Sequence, residues 1–220
     1  MKTVLITGVS RGIGKALTDK FLKEGDFVIG TSTKGIANRQ NENLLLFQLD
    51  LANPASIKDC SNKIVSLKRN IDILINNAGT VVEEEANEPK INIDYLRKTL
   101  EVNLIGTIDF TENIIPIINQ GGHIVNISSR AGSLTHAGYE LNYPAYRISK
   151  TGLNMFTKIL AKRLEGKITV SSLHPGWVKT DMGGEEADME PTEAAEYIFN
   201  LANSQVETGQ FWFQGKKFPW

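Results

Sequence analysis

Short apolar, β-branched runs alternate with longer segments of helical periodicity along this chain, and that alternation is the writing of a parallel sheet covered on both faces. The runs lie at Thr3 to Ile6, Phe27 to Thr31, Leu44 to Leu49, Ile71 to Ile75, His123 to Ile127, Ile168 to Leu173 and Gln210 to Phe213. Between them, helical patterns run from about Gly12 to Glu24, Ser56 to Lys68, Ile93 to Asn103 and on to Ile118, Tyr143 to Leu164, and Pro191 to Asn203. Asn53 or Ser56 and Thr192 supply capping chemistry for two of these. Several runs are apolar throughout, as strands buried on both faces must be. The expected fold class is therefore α/β, a doubly wound seven-stranded parallel sheet with helices on both faces. Its 220 residues fit one domain spanning 1–220, without a linker.

Such a sheet binds ligands beyond the carboxyl ends of its strands. The first strand, VLITG, runs straight into TGVSRGIG, a glycine-spaced turn opening a helix. Gly8, Gly12 and Gly14 allow the tight turn and the close approach of a pyrophosphate and of helix to sheet, with Ser10, Arg11 and Ile13 between them. The second strand discriminates between dinucleotides. No acidic residue lies between Asp26 and Glu42 to take a ribose 2′-hydroxyl. Hydroxyls at Thr31 and Thr33, with the Arg11 guanidinium, suit a 2′-phosphate instead, so NADP(H) is expected over NAD(H).

A second constellation carries proton chemistry. Tyr146 stands one helical turn before Lys150, and Ser129 closes the run HIVNISS upstream. A phenol titrates near ~10 and must be lowered to act as a base; a neighbouring ammonium favours the tyrosinate. A hydroxyl at Ser129 would polarise a carbonyl oxygen on which negative charge develops. Tyr143 with Arg147 shares the spacing, but a permanently charged planar guanidinium suits this task less than a compact ammonium. Tyr139 has no cation at that distance, and Ser128 is the alternative serine.

These motifs, in this order, together with INNAG (75–79), Asn103 and PGWVKTDM (175–182), resemble the short-chain dehydrogenase/reductase family over essentially the whole chain. The cofactor turn is similar to that of ketoacyl carrier-protein reductases, and the tail GQFWFQGKKFPW to that of C-factor and sniffer-type carbonyl reductases. The resemblance implies a Rossmann-type three-layer sandwich and a catalytic set of Asn103, Ser129, Tyr146 and Lys150. Within that set, Lys150 also binds the nicotinamide ribose and Asn103 anchors a water linking Lys150 to solvent. It further implies that Asp50 and Leu51 meet adenine, that Asn77, Ala78 and Gly79 line the adenine ribose side, and that Pro175, Gly176, Val178 and Thr180 hold the carboxamide. Thr7 is expected to be a structural hydrogen-bonding residue. Many relatives form homo-oligomers, so a dimer or tetramer is expected, through the helices ending near Ile118 and Leu164.

Bulk properties narrow the partners. A net charge of -1 offers no general attraction to nucleic acid or to an anionic membrane. The single cysteine, Cys60, reads as a small apolar residue on the inner face of a helix and fits a reducing, cytoplasmic setting. His123, His136 and His174 lack metal-ligand spacing, and no metal is expected. The acidic run Glu83 to Glu85, with Glu88, reads as a solvated loop, and the acidic stretch between Met182 and Pro191 as a short connection leaving an open site. The expected pocket wall runs from Ala131 to Pro144, with Leu134, His136, Tyr139 and Leu141. The expected reaction is reduction of a small aldehyde or ketone, reversible as oxidation of an alcohol. A nucleotide-binding signalling protein with little turnover is the alternative, and a structural oligomer component a third.

Overall fold

The structure, a computed structural model, describes residues 1–35, 41–87, 90–136 and 142–220. Its strands are β1 (Thr3–Thr7), β2 (Phe27–Ser32), β3 (Leu44–Gln48), β4 (Ile71–Asn76), β5 (Ile118–Ile127), β6 (Thr169–Leu173), β7 (Gln210–Phe213) and β8 (Lys216–Lys217). Its α-helices are α1 (Gly12–Lys23), α2 (Pro54–Ser66), α3 (Ile93–Leu100), α4 (Thr107–Ile114), α5 (Pro144–Arg163) and α6 (Pro191–Ala202). The strands form one sheet in the order β3-β2-β1-β4-β5-β6-β7-β8, parallel except for the antiparallel pair β7 and β8. Seven strands were expected, and the eighth corrects that number. It arises because Gln214 and Gly215 both adopt positive φ, 47° and 75°, which is the geometry of a two-residue hairpin turn.

Alternate residues of the central strands feed two separate cores. Leu5, Ile29, Leu74, Ile124 and Val170 pack on one face with residues of α2, α4 and α5. Val4, Ile6, Val28, Ile73, Ile75 and Val125 pack on the other with α1 and α6. Both sets are apolar, so no polar alternation shows in the sequence. A buried polar seam crosses the first face. Asn76 donates to Asn126 on β5 (2.8 Å) and to Thr111 on α4 (2.9 Å), and Asn126 donates to Thr157 on α5 (2.9 Å).

One expected helix cap is found and two helix ends differ from expectation. Asn53 is the cap of α2, accepting from the backbone of Ala55 and Ser56, with Pro54 pre-set for the first turn. Thr192 caps nothing: α6 begins at Pro191, with Glu190 in the cap position and no side-chain bond there. The long helix expected from Ile93 to Ile118 is interrupted by a π turn over Glu101–Gly106 and ends at Ile114. Gly106 lies against the Leu51 carbonyl so closely that a Cβ would sit 1.9 Å from its oxygen. Thr107 returns its hydroxyl to the Val102 carbonyl at 3.1 Å, in step with the widened turn. Pro116 follows in a 3-10 turn and has no N–H with which to prolong the helix, so β5 begins at Ile118, not His123. No helix among the described residues is long and apolar enough to cross a membrane.

Candidate active site

At the carboxyl ends of β1, β2 and β4, where the chain crosses from one half of the sheet to the other, a cavity of about 450 Å³ opens. Such a reversal of strand order is where open α/β sheets leave a crevice. Its walls include Gly8, Ser10, Arg11, Gly12, Ile13 and Gly14 from the β1–α1 turn, and Thr31 and Thr33 from the end of β2. Asp50 and Leu51 from the end of β3, and Asn77, Ala78 and Gly79 beyond β4, complete the outer half. Tyr146, Lys150, Pro175 and Thr180 line the inner half.

Local hydrogen bonds explain the shape. Gly8 and Val9 donate their N–H groups to the Thr31 carbonyl, both at 2.9 Å, tying the turn to β2. Thr7 accepts from the backbone N–H groups of Asn77 and Ala78, each at 3.0 Å, the structural role expected of it. Asn77 in turn donates its side-chain amide to the carbonyls of Thr7 (2.9 Å) and Gly8 (3.2 Å). Gly14 is demanded by close approach: a Cβ there would lie 2.1 Å from the Gly8 oxygen. The start of α1 carries no side-chain cap, and Gly12, Ile13 and Gly14 of its first turn line the cavity. Arg11 is paired with Asp181 across the opening, both largely exposed.

At the inner end, Ser129 caps a 3-10 turn over Arg130–Gly132, accepting from the Ala131 N–H at 3.1 Å, and its hydroxyl is near enough to the Tyr146 phenol to favour the phenolate. Ser128, the alternative serine, is buried, lines the cavity and gives its hydroxyl to the Lys150 carbonyl, 3.4 Å away, whereas Ser129 does not line the cavity. Lys150 is 4 % exposed, and its ammonium donates to the Ile127 carbonyl at 2.8 Å, 5.5 Å from the centroid of the Tyr146 ring. Burial pushes Lys150 down to about 8. Burial also raises the Tyr146 phenol, an effect that the nearby Ser129 hydroxyl partly offsets. Lys150 is expected from the sequence to lower the phenol, and burial acts in the opposite direction.

Asn103 lies in the π turn, 1 % exposed, behind the cavity wall. Its side chain accepts from the Thr80 N–H (2.8 Å) and donates to the Thr80 carbonyl (2.8 Å) and to Ser149 (3.1 Å). It therefore braces the loop after β4 against α5. Val178 is also buried, packed with Met189 and Ala194, and Gly176 adjoins the Met189 side chain; neither lines the cavity. The acidic stretch before Pro191 is no free connection, since Met189 bridges back to Val178 and Lys179 donates to the Met189 carbonyl at 2.8 Å. Lining residues given no role by sequence reasoning include Thr80, Lys98, Val102 and Met182. Lys98 sits on α3 and Val102 in the π turn that follows it, and no local signal marks either.

The rival groups are placed elsewhere. Arg147 clamps the carbonyl and side-chain oxygens of Asn142, both at 2.7 Å. Tyr139 and Leu141 lie outside the described residues. His123 is buried against Ser171 (2.9 Å), and burial holds it down to about 4. His174 stacks on Phe213, and burial, helped by the Arg130 charge, brings it also to about 4. His136 is within 3.2 Å of Ser133 and stacks on Phe218. Cys60 is fully buried, and its thiol is pushed up to about 12.

Comparison with known proteins adds three findings. A family model described as short chain dehydrogenase matches residues 2–191. The chain is 35% identical over 193 residues to 3-oxoacyl-(acyl-carrier-protein) reductase FabG of Aquifex aeolicus, covering 82% of this chain and 75% of that protein. It is 28% identical to carbonyl reductase (NADPH) 1 of Mus musculus, covering 98% and 97%. Among solved structures, NADPH-bound carbonyl reductase from chicken fatty liver superposes with a TM-score of 0.91 at 27% identity, over 100% of this chain and 94% of that one. Carbonyl reductase Sniffer of D. melanogaster does so with a TM-score of 0.87 at 27% identity, over 100% of both. With a glycine turn at one end of its cavity and Tyr146 beside a buried Lys150 at the other, this chain belongs to the short-chain dehydrogenase family.

Proposed function

We propose that this protein is an NADP(H)-dependent oxidoreductase that reduces a small aldehyde or ketone and, in reverse, oxidises the corresponding alcohol. One observation carries the reading: Tyr146 and a buried Lys150, whose ammonium lies 5.5 Å from the phenol ring, together line the inner end of a dinucleotide-sized cleft.

The residues present fit the cofactor. The uncapped start of α1 and the glycine turn accommodate a pyrophosphate, and the end of β2 offers Thr31 and Thr33 with no carboxylate to repel a 2′-phosphate. Arg11 would exchange Asp181 for that phosphate. Asp50 and Leu51 serve adenine, Asn77 to Gly79 the adjoining ribose, Lys150 the nicotinamide ribose, and Pro175 and Thr180 the carboxamide. The NADPH-bound chicken liver carbonyl reductase, alike over the whole chain, supports this choice. When bound, the cofactor supplies the hydride. Tyr146 then gives its proton to the substrate oxygen, and Ser129 donates a hydrogen bond to that oxygen as charge develops. Lys150 stabilises the phenolate left behind, and Asn103 supports the reprotonation route by holding the loop after β4 on α5.

Ile105, Ile148, Met155 and Ile159 are exposed on the π turn and α5, which fits a homo-oligomer, dimer or tetramer, readable as mass by light scattering. We place the protein in the cytoplasm. The test of function is NADPH consumption over a panel of aldehydes, ketones and quinones, with NADH controls and Tyr146→Phe. Turnover of small carbonyl compounds, lost in Tyr146→Phe, is expected. A preference for NADH above about tenfold in kcat/KM, worth about 1.4 kcal/mol, refutes the cofactor assignment. Activity confined to carrier-protein-linked ketoacyl groups refutes the substrate class.

A further inference from the structure

Glu85 departs from what its sequence context implies. Its neighbours Glu83 and Glu84 are exposed, as a solvated acidic run should be, yet Glu85 is 0 % exposed. Its chain segment, a 3-10 turn over Glu83–Asn87, follows Val82, which is itself buried. A buried carboxylate is costly unless something holds it. What holds it is the start of α5: the Ala145 N–H donates to its Oε1 at 2.9 Å. Its Oε2 is buried without a hydrogen-bond partner among the described residues.

The start of α5 needs such help. A helix is normally capped by a residue in extended conformation whose side chain accepts from the first-turn N–H groups. The residue in that position, Tyr143, adopts φ 53° and ψ 51°, left-handed geometry that a bulky side chain rarely takes, and it makes no side-chain cap bond. Arg147 secures the turn from outside by gripping Asn142. From within, the acceptor comes from sixty residues earlier in the chain, in the form of a carboxylate at a helix N-terminus, where negative charge is favoured. The residue after Ala145 is Tyr146.

We propose that Glu85 is a positioning residue for the reaction: reaching α5 from the segment after β4, its carboxylate holds the first turn of the helix and so sets where Tyr146 presents its phenol. The inference rests on the proton-donating role proposed above for Tyr146. An error of about 1 Å in such a placement costs on the order of a hundredfold in rate. The loss belongs in kcat, because the glycine turn and the end of β2 are untouched by it.

The experiment compares Glu85→Ala, Glu85→Asp and Glu85→Gln with the wild type and Tyr146→Phe in the full chain. It follows steady-state reduction of an aromatic aldehyde by NADPH, NADPH affinity by fluorescence titration, and amide exchange in peptides covering 143–148. For Glu85→Ala, a fall in kcat of about ten- to a hundredfold is expected, with the NADPH Kd within about twofold and faster exchange confined to the first turn of α5. Glu85→Gln, which keeps an acceptor oxygen, should recover most of the rate. If Glu85→Ala does not fold, Glu85→Asp decides, since it keeps the charge but withdraws the oxygen by one bond; the same split between kcat and Kd is expected of it. Unchanged kcat in the folded variants, or loss of kcat, cofactor affinity and protection everywhere in parallel, overturns the proposal. A wild type no faster than Tyr146→Phe would defeat the proposed reaction instead, while the exchange data would still report whether Glu85 holds the helix.

Discussion

Replacing Lys150 by methionine should abolish reduction and make the protein more stable at neutral pH. Lys150 is 4 % exposed, and burial takes its pKa from 10.5 to about 8. A pKa difference of that size between native and unfolded chain corresponds to about 3 kcal/mol, at about 1.4 kcal/mol per unit. Because the native value is depressed, the unfolded chain binds the proton more tightly, and below pH 8 the full penalty is borne. As pH rises from 8 to 10.5 it disappears, since both states then release the proton. Methionine fills a similar volume without charge but leaves the Ile127 carbonyl without its 2.8 Å donor, which returns about 1 kcal/mol. The expected net gain is therefore about 2 kcal/mol at pH 7, shrinking steadily above pH 8. Urea unfolding of both proteins across pH 7 to about 10.5 measures it. A methionine variant less stable at pH 7, or a difference that does not change with pH, would refute the reasoning. The gain would place Lys150 among residues kept for chemistry at a cost in stability.

Four further outcomes follow from the same structure. Tyr146→Phe removes the proton donor and should lower kcat by about two to four orders of magnitude while leaving NADPH affinity nearly unchanged, which single-turnover kinetics and fluorescence titration together would show. Gly14→Ala would put a Cβ 2.1 Å from the Gly8 oxygen, so the cofactor turn must shift; the protein should lose about 1–3 kcal/mol and the rise in Tm that saturating NADPH gives the wild type. His174 has its pKa lowered from 6.5 to about 4, so the native state resists a proton that the unfolded chain accepts. Stability should fall by about 3 kcal/mol as pH drops from 6.5 through 4, and His174→Phe should remove that part of the acid sensitivity in denaturant titrations. Cys60, buried with its thiol pushed up to about 12, should react with a chromogenic disulfide only as fast as the protein unfolds.

The sheet and the outer half of the cleft were legible because their causes are local. A strand buried on both faces must be continuously apolar, and a helix pressed to within contact of a turn must begin with glycine, so Val4 to Gly14 announce themselves. Tyr146 and Lys150 were legible because helical spacing sets them on one face of α5, whereas the preference for Ser129 over Ser128 rests on the family resemblance. What escaped depends on contacts remote in sequence. The π turn at Glu101–Gly106 answers the Leu51 carbonyl, about fifty residues away, and no periodicity records it. Pro116, in contrast, was a local breaker whose signal was overridden by the apolar run around it. The β7–β8 turn uses Gln-Gly in place of the familiar Asn-Gly pair, a weak form of a recognisable signal. The burial of Glu85 was illegible for the same reason as the π turn, since its partner is the backbone of another element.

The hydrogen-bonded amides of Asn76 and Asn126 have a consequence for anyone wishing to harden this scaffold. Hydrocarbon side chains of matching size would tolerate many rotations of α4 and α5 against the sheet, whereas each amide accepts only one. Exchanging the pair for leucines is therefore expected to raise the melting temperature and blur the aim of α5, giving an enzyme that survives heat longer and turns over more slowly.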